Sequence, residues 1–247
     1  MLIKRFEKSV KMNFFLKKLI LGKPIVDEQP TKGAIDKRVK NIKAIWNNEQ
    51  HDDIGIEKIL RLFLAISQFV FVGTYVKQVF GKKGIAYQDL SVDVLVIIKV
   101  LFPWFILSYK CENNDFLFYI LVWFLTETML YVPTLIFASD IFSRPRSYRR
   151  SMLLLFLNYI EIVFGFGVIY SRGNYLNKPF EHWFDPIYFS FITSATIGYG
   201  DFYPVTTMGK ALVSFQSIIF LIFIVLFINF FSNKVESKGY FDQNNKS

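Results

Sequence analysis

The chain has 247 residues, of which 53% are hydrophobic and 20% are charged, and phenylalanine alone accounts for 29 of them. Soluble domains carry about 25% charged residues, and a compact soluble fold of this length could not bury so many large apolar side chains. The composition therefore excludes an ordinary soluble protein and predicts a membrane protein. The net charge of +9 favours basic cytoplasmic segments or contact with anionic lipid over nucleic-acid binding.

Residue types that bind metals or form disulfides are scarce. The single cysteine, Cys111, excludes an intrachain disulfide. The two histidines, His51 and His182, are too few and too far apart for a zinc site. No nucleotide motif and no nucleophile–base pair is apparent, so we expect neither an enzyme nor a bound cofactor.

Residues 1–57 are rich in lysine and arginine and precede the long apolar runs. They predict a basic cytoplasmic region. Within this region, residues 9–22 interleave lysines with phenylalanine, leucine and isoleucine, as in a basic amphipathic helix. Such a helix would lie either on an anionic membrane face or against the rest of the protein, and the sequence favours neither.

Five apolar runs follow the basic region. A helix that crosses a membrane needs about 20 apolar residues, and the last three runs meet that length. The first run contains Gln68 and the second contains Lys99 and Pro103, which makes these two weaker candidates. The runs are residues 59–80, 92–109, 116–138, 152–170 and 211–231.

A shorter apolar stretch lies between the last two runs and begins at Asp185 and Pro186. Aspartate is a favoured N-cap and proline is favoured at the first helical position, so this pair predicts the start of a helix. The stretch from Ile187 to Ala195 is too short to cross a membrane and long enough to enter one. It leads directly into residues 196–201, which read Thr-Ile-Gly-Tyr-Gly-Asp.

These six residues resemble the selectivity filter of the potassium channel family. The resemblance covers residues 152–232 and departs at Ala195, where many members have a second threonine. It implies an all-α membrane protein whose pore module is an outer helix, a re-entrant pore helix with its filter, and an inner helix, preceded by two or three further membrane helices. The implied domains are accessory membrane helices at 58–150, the pore module at 151–232 and a short cytoplasmic tail at 233–247.

The resemblance also assigns roles to the motif. The backbone carbonyls of its first four residues would bind K⁺ in place of the water shell of the ion, in rings built from four chains. The two glycines can adopt the backbone angles that turn successive carbonyls the same way. Ile197 and Tyr199 would pack against the pore helix, and Asp201 would lie at the outer mouth. The filter residues are Thr196, Ile197, Gly198, Tyr199 and Gly200.

The function that the resemblance implies is passive, selective conduction of K⁺ by a homotetramer in a cell membrane, with a bacterial inner membrane favoured. K⁺ and membrane lipids are the expected partners, and nucleic acid is not. One alternative is a less selective cation channel, although Tyr199 between two glycines argues against it. The other is an accessory subunit of a hetero-oligomeric channel, although the intact filter argues against that.

The filter must face outside, and this orients the runs. The four arginines between residues 144 and 150 then lie inside, as the positive-inside rule requires, and we do not expect them to sense voltage. If residues 59–80 also crossed the membrane, the basic N-terminus would lie outside. We therefore favour four spans, with residues 59–80 interfacial or re-entrant on the cytoplasmic side.

Three charged residues, Lys99, Glu127 and Glu161, fall inside predicted spans. A charge at the centre of a span costs at least about 2.5 kcal/mol unless it is paired or hydrated. Lys99 and Glu127 lie at similar depth on consecutive helices, so we expect an ion pair between them, with snorkelling of the lysine and protonation of the glutamate as the alternative. Glu161 is expected to meet Asn158 or a neighbouring subunit.

A second Gly-x-Gly, formed by Gly165 and Gly167, lies inside the fourth run. It has no preceding threonine and no short helix before it. We therefore expect these glycines to allow close helix packing, and we do not expect a second filter.

Overall fold

The structure is a computed structural model that describes residues 33–49, 53–138 and 148–232. These residues form eight α-helices, one short 3₁₀ helix and no strand. The chain divides into two compact units, residues 1–97 and 98–247. The amphipathic segment 9–22, most of the arginine cluster and the tail at 233–247 lie outside the described residues.

The helices of the first unit are short. Helix α1 packs against α2 and α3, and both of its ends meet side chains of those helices. The side-chain carbonyl of Gln78 accepts from the N–H of Ile35 at 3.2 Å, and Lys58 Nζ donates to the carbonyl of Trp46 at 2.9 Å. These bonds satisfy backbone groups that a helix end leaves without partners. The elements are α1 (Ala34–Trp46), α2 (Gly55–Ser67), α3 (Val72–Phe80) and the 3₁₀ helix Gly81–Lys83.

Four of the remaining helices, α4, α5, α6 and α8, are long and apolar enough to cross a membrane. They confirm the four later apolar runs as helices, and each begins before the run that predicted it. Pro103 in α4 and Pro133 in α5 are accommodated without ending the helix, as is common in membrane helices. The helices are α4 (Ile85–Ser108), α5 (Asp115–Phe137), α6 (Tyr148–Arg172), α7 (Asp185–Ser194) and α8 (Thr207–Ser232).

The first apolar run is broken. It forms α2 and α3, which are bent by 59° relative to each other and have the apolar composition of a span only when taken together. The break follows Ser67 and ends before Val72. Four helices of the described chain can therefore cross a membrane singly, or five segments can if the bent pair is counted.

In the second unit, α6 lies at the centre and packs against α5, α7 and α8. Aromatic side chains fill the space between these helices. Tyr170 of α6 meets Phe189 of α7 edge to face with ring centroids 4.9 Å apart, and Tyr159 of α6 meets Phe223 of α8 at 5.6 Å. This packing holds the short helix α7, which precedes the filter motif, between two long apolar helices.

The glycines of α6 allow close packing, as predicted. A Cβ on Gly167 would come within 3.2 Å of the backbone carbonyl group of Pro186, at the start of α7. A Cβ on Gly165 would come within 2.4 Å of the Leu125 side chain on α5. Because main chain cannot move aside as a side-chain tip can, Gly167 is the stricter requirement.

Lys99 pairs with Glu161, a contact that the sequence analysis did not expect, and its predicted pair with Glu127 stays a prediction. Lys99 Nζ lies 3.3 Å from Glu161 Oε1 and 2.5 Å from the hydroxyl of Thr128, which itself donates to Glu161 Oε2 at 2.9 Å. Thr128 thus lies between the two charged groups, and Glu127, which is also buried, is close enough to act electrostatically on Glu161. The expectation that Glu161 meets Asn158 or a neighbouring subunit is corrected, since its partners in the chain are Lys99 and Thr128.

Candidate functional site

The helix that precedes the filter motif begins one residue earlier than predicted. The carbonyl of Phe184 accepts from the N–H of Tyr188 at 2.9 Å, so Asp185 is the first residue of α7 and not its N-cap. The carboxylate of Asp185 turns back and accepts from the N–H groups of Glu181 and His182, both at 2.9 Å. The N-cap prediction is therefore wrong, and this aspartate anchors the loop before the helix.

Helix α7 ends in a turn that also begins the filter motif. The N–H of Ile197 donates to the carbonyl of Ile192 at 2.9 Å, and the N–H of Thr196 donates to that of Thr193 at 3.1 Å. This is the Schellman pattern, in which the residue after the helix adopts a left-handed conformation and is usually glycine. Thr196 occupies that position with a φ of +56°, at a conformational cost of about 1–2 kcal/mol for a residue with a Cβ.

The backbone of the motif alternates in handedness. φ is positive at Thr196, Gly198 and Gly200 (+56°, +56° and +83°), and not at Ile197 or Tyr199 between them. A backbone that alternates in this way turns successive N–H groups to one side, and hence successive carbonyls to the other. A Cβ on either glycine would meet no atom of the chain within 4 Å. The conformation, and not a lack of space, therefore requires glycine at these two positions.

The side chains of the motif are exposed in the single chain. Ile197 is 48% exposed and Tyr199 is 70% exposed. Phe191, on the preceding helix, is also exposed. Packing of Ile197 and Tyr199 against a pore helix therefore stays a prediction about assembled chains.

The chain after the motif is held by polar contacts. The side chain of Asp201 lies close to the Tyr188 hydroxyl of α7. Asn177, in the loop after α6, donates from Nδ2 to the carbonyl of Asp201 at 3.3 Å and accepts at Oδ1 from the N–H of Tyr203 at 2.9 Å. The sequence analysis did not single out Asn177, because a lone asparagine in a polar loop carries no pattern.

A buried polar network lies behind α7. Gln216 of α8 donates from Nε2 to the hydroxyl oxygens of Ser190 and Ser194 at 2.8 and 2.6 Å, and its Oε1 accepts from the Tyr170 hydroxyl of α6 at 2.7 Å. The Tyr159 hydroxyl also reaches Ser194. These groups join α6, α7 and α8. Sequence analysis missed the network, although a lone glutamine in an apolar run and two serines four residues apart on the short helix were available signals.

We predict that Gln216→Leu destabilises the protein by about 1–3 kcal/mol, because the buried hydroxyls of Tyr170 and Ser194 each lose a partner. The measurement is the midpoint of denaturation in detergent. Ser217→Ala is the matched control, since the Ser217 hydroxyl bonds only to the carbonyl of Val213 in its own helix. Equal midpoints for the two variants would show that the network contributes nothing to stability.

Comparison with known proteins agrees with this geometry over the C-terminal part of the chain. Residues 154–237 match a family model described as ion channel. No curated protein and no solved structure matches the chain. The matched segment contains the greater part of α6, all of α7, the filter motif and α8. The chain is thus a multi-pass membrane protein that carries, at residues 154–237, a domain of the kind that conducts ions passively.

Proposed function

We propose that the protein is a potassium-selective channel with residues 196–200 as its selectivity filter and Asp201 at the outer mouth. The observation that carries this proposal is the alternation of φ at Thr196, Gly198 and Gly200. It turns neighbouring carbonyls to one side within a motif of matching sequence. The proposed location is a cell membrane, with a bacterial inner membrane favoured.

In the proposed mechanism, K⁺ enters the filter without its water shell, and backbone carbonyl oxygens take the place of that water. The carbonyls of Thr196, Ile197, Gly198 and Tyr199 supply these oxygens. Helix α7 ends at Ser194, and Ala195 alone separates it from the filter. The negative end of its dipole therefore favours a cation at the inner end of the filter. No side chain changes its protonation state, and the ion moves down its electrochemical gradient.

We further propose that four copies surround one pore, because a single chain supplies only one side of each carbonyl ring. The exposed apolar side chains support assembly. Ile197 and Tyr199 of the filter are exposed, and so is a line of large apolar side chains on α8. That line consists of Phe215, Ile218, Leu221, Val225 and Ile228.

The direct test is ion flux from liposomes that contain the purified full-length chain. We expect flux under a potassium gradient that greatly exceeds flux under a sodium gradient and is blocked by Ba²⁺. Equal potassium and sodium flux would overturn selectivity and favour the less selective cation channel. Absence of both fluxes from correctly folded protein would overturn conduction by a homotetramer and favour the accessory subunit.

A further inference from the structure

The bent pair α2–α3 has an inside-out distribution of side chains. Every exposed side chain between residues 58 and 80 is large and apolar, with between 40% and 69% of its surface accessible. Tyr75 belongs to this set. Its hydroxyl, the one polar group of its side chain, donates to the carbonyl of Phe69 at 2.7 Å and so has a partner within the protein. The seven residues are Ile59, Phe63, Ile66, Val70, Tyr75, Val79 and Phe80.

Four polar side chains of the same segment are buried, those of Arg61, Ser67, Gln68 and Thr74. Arg61 is buried and pairs with buried Asp53, with Nη1 and Oδ1 2.7 Å apart. Buried Thr74 donates to the carbonyl of Gln68 at 2.7 Å, across the bend. In water this arrangement would raise the free energy of the folded protein twice, by exposing apolar surface and by burying polar groups. In hydrocarbon it is the favourable arrangement, because polar groups there must find partners within the protein.

Neither helix of the pair is long enough to cross a membrane by itself. Helix α2 has 13 residues and α3 has 9, which at about 1.5 Å per residue gives lengths of roughly 20 and 14 Å. The hydrocarbon core is about 30 Å thick. The exposed residues Ile59, Phe63, Ile66 and Val70 recur every three or four positions, so they form one face along α2 and its end.

Exposed lysines lie near both ends of the pair, together with exposed Glu57 at the start of α2. On α1, which packs against it, Lys37, Lys40 and Lys43 are exposed. Directly after Phe80, Lys82 and Lys83 are exposed. Basic residues that flank membrane segments collect on the cytoplasmic side. The end of α1 lies beside the start of α2, so a single span would put Lys43 on the opposite side from Lys82 and Lys83. A segment that enters and leaves by the same side keeps all three inside.

We propose that α2–α3 is a re-entrant hairpin in the cytoplasmic leaflet. Its apolar face contacts lipid acyl chains, and the lysines of α1 and of residues 82–83 contact anionic phospholipid headgroups. This inference does not depend on potassium conduction. It also gives the pair a partner, since acyl chains cover the exposed apolar surface.

Spin labels test the depth of the hairpin. In a Cys111→Ser background, nitroxides are attached at Phe63→Cys, at Val79→Cys and, as an aqueous control, at Lys43→Cys. The full-length protein is placed in vesicles of zwitterionic and anionic phospholipid. We expect labels at residues 63 and 79 to collide more with oxygen and less with a polar nickel chelate than the label at residue 43. If the chelate reaches residue 63 as readily as residue 43, the hairpin does not contact lipid. If neither oxygen nor the chelate reaches residue 63, protein covers that residue, and lipid contact is again overturned.

Sidedness tests the hairpin against a broken span. Lys43→Cys, beside the start of α2, and Lys83→Cys, after the end of α3, again without Cys111, are treated with a membrane-impermeant maleimide in intact cells and in inverted membrane vesicles. The re-entrant hairpin predicts that both react in inverted vesicles and that neither reacts in intact cells. Reaction of one residue from each side would show that the pair crosses the membrane, and would overturn the proposal.

Discussion

Replacing Gly198 with alanine is expected to abolish potassium-selective flux from liposomes while the protein still folds. Gly198 has a φ of +56°, and a residue with a Cβ is less stable there by about 1–2 kcal/mol. The strain is relieved if the peptide rotates, which turns one carbonyl away from its neighbours. In four assembled chains the same change occurs four times around one ring, so the oxygens that replace the water shell of the ion are lost together.

The chain offers a matched control for this variant. Gly55 has a φ of +60°, and a Cβ on it, as on Gly198, would meet no atom within 4 Å. Gly55→Ala therefore introduces a comparable backbone strain at the start of α2, far along the sequence from the filter. We expect Gly55→Ala to keep selective flux. If Gly198→Ala conducts K⁺ as selectively as this control does, residues 196–200 do not form the filter.

Sequence analysis was most successful where the determinants are local. The length of the apolar runs predicted three of the four helices that can cross a membrane, and the run at 92–109, a weaker candidate, proved to belong to the fourth. The starts of the helices were misplaced because polar segments such as residues 85–91 extend beyond the apolar part. The close packing at Gly165 and Gly167 also followed from residue size. The six-residue motif at 196–201 predicted a special backbone, and alternating φ is what the structure has there.

Contacts between distant segments could not be predicted. The residue type of Asp185 predicted an N-cap, but the helix already begins at Asp185. Its carboxylate instead accepts a hydrogen bond from the loop before the helix. The partners of Gln216 lie 22 to 46 residues away on two other helices. Depth in the membrane suggested Glu127 as a partner of Lys99, but depth did not reveal the contacts of Lys99 with Glu161 and Thr128. Those contacts depend on how whole helices pack.

The buried contacts among Lys99, Thr128 and Glu161 permit a direct test of how these helices pack. Glu161 has no measurable exposure and Lys99 is 4% exposed, so either charge without the other is strongly unfavourable. We predict that Lys99→Met or Glu161→Gln alone destabilises the protein by about 3–5 kcal/mol. The double variant should lose clearly less than the sum, because neither charge is then left alone. The measurement is the midpoint of denaturation in detergent, evaluated as a double-mutant cycle.

The pair first expected from the sequence is the matched control. Lys99→Met combined with Glu127→Gln should show a weaker coupling, because Thr128 and Glu161 supply oxygens 2.5 and 3.3 Å from Lys99 Nζ. Thr128→Val should weaken the coupling between Lys99 and Glu161, since its hydroxyl bonds to both. If Lys99 couples more strongly to Glu127 than to Glu161, α5 is rotated relative to this structure. The polar link from α4 through α5 to α6 would then be wrong as well.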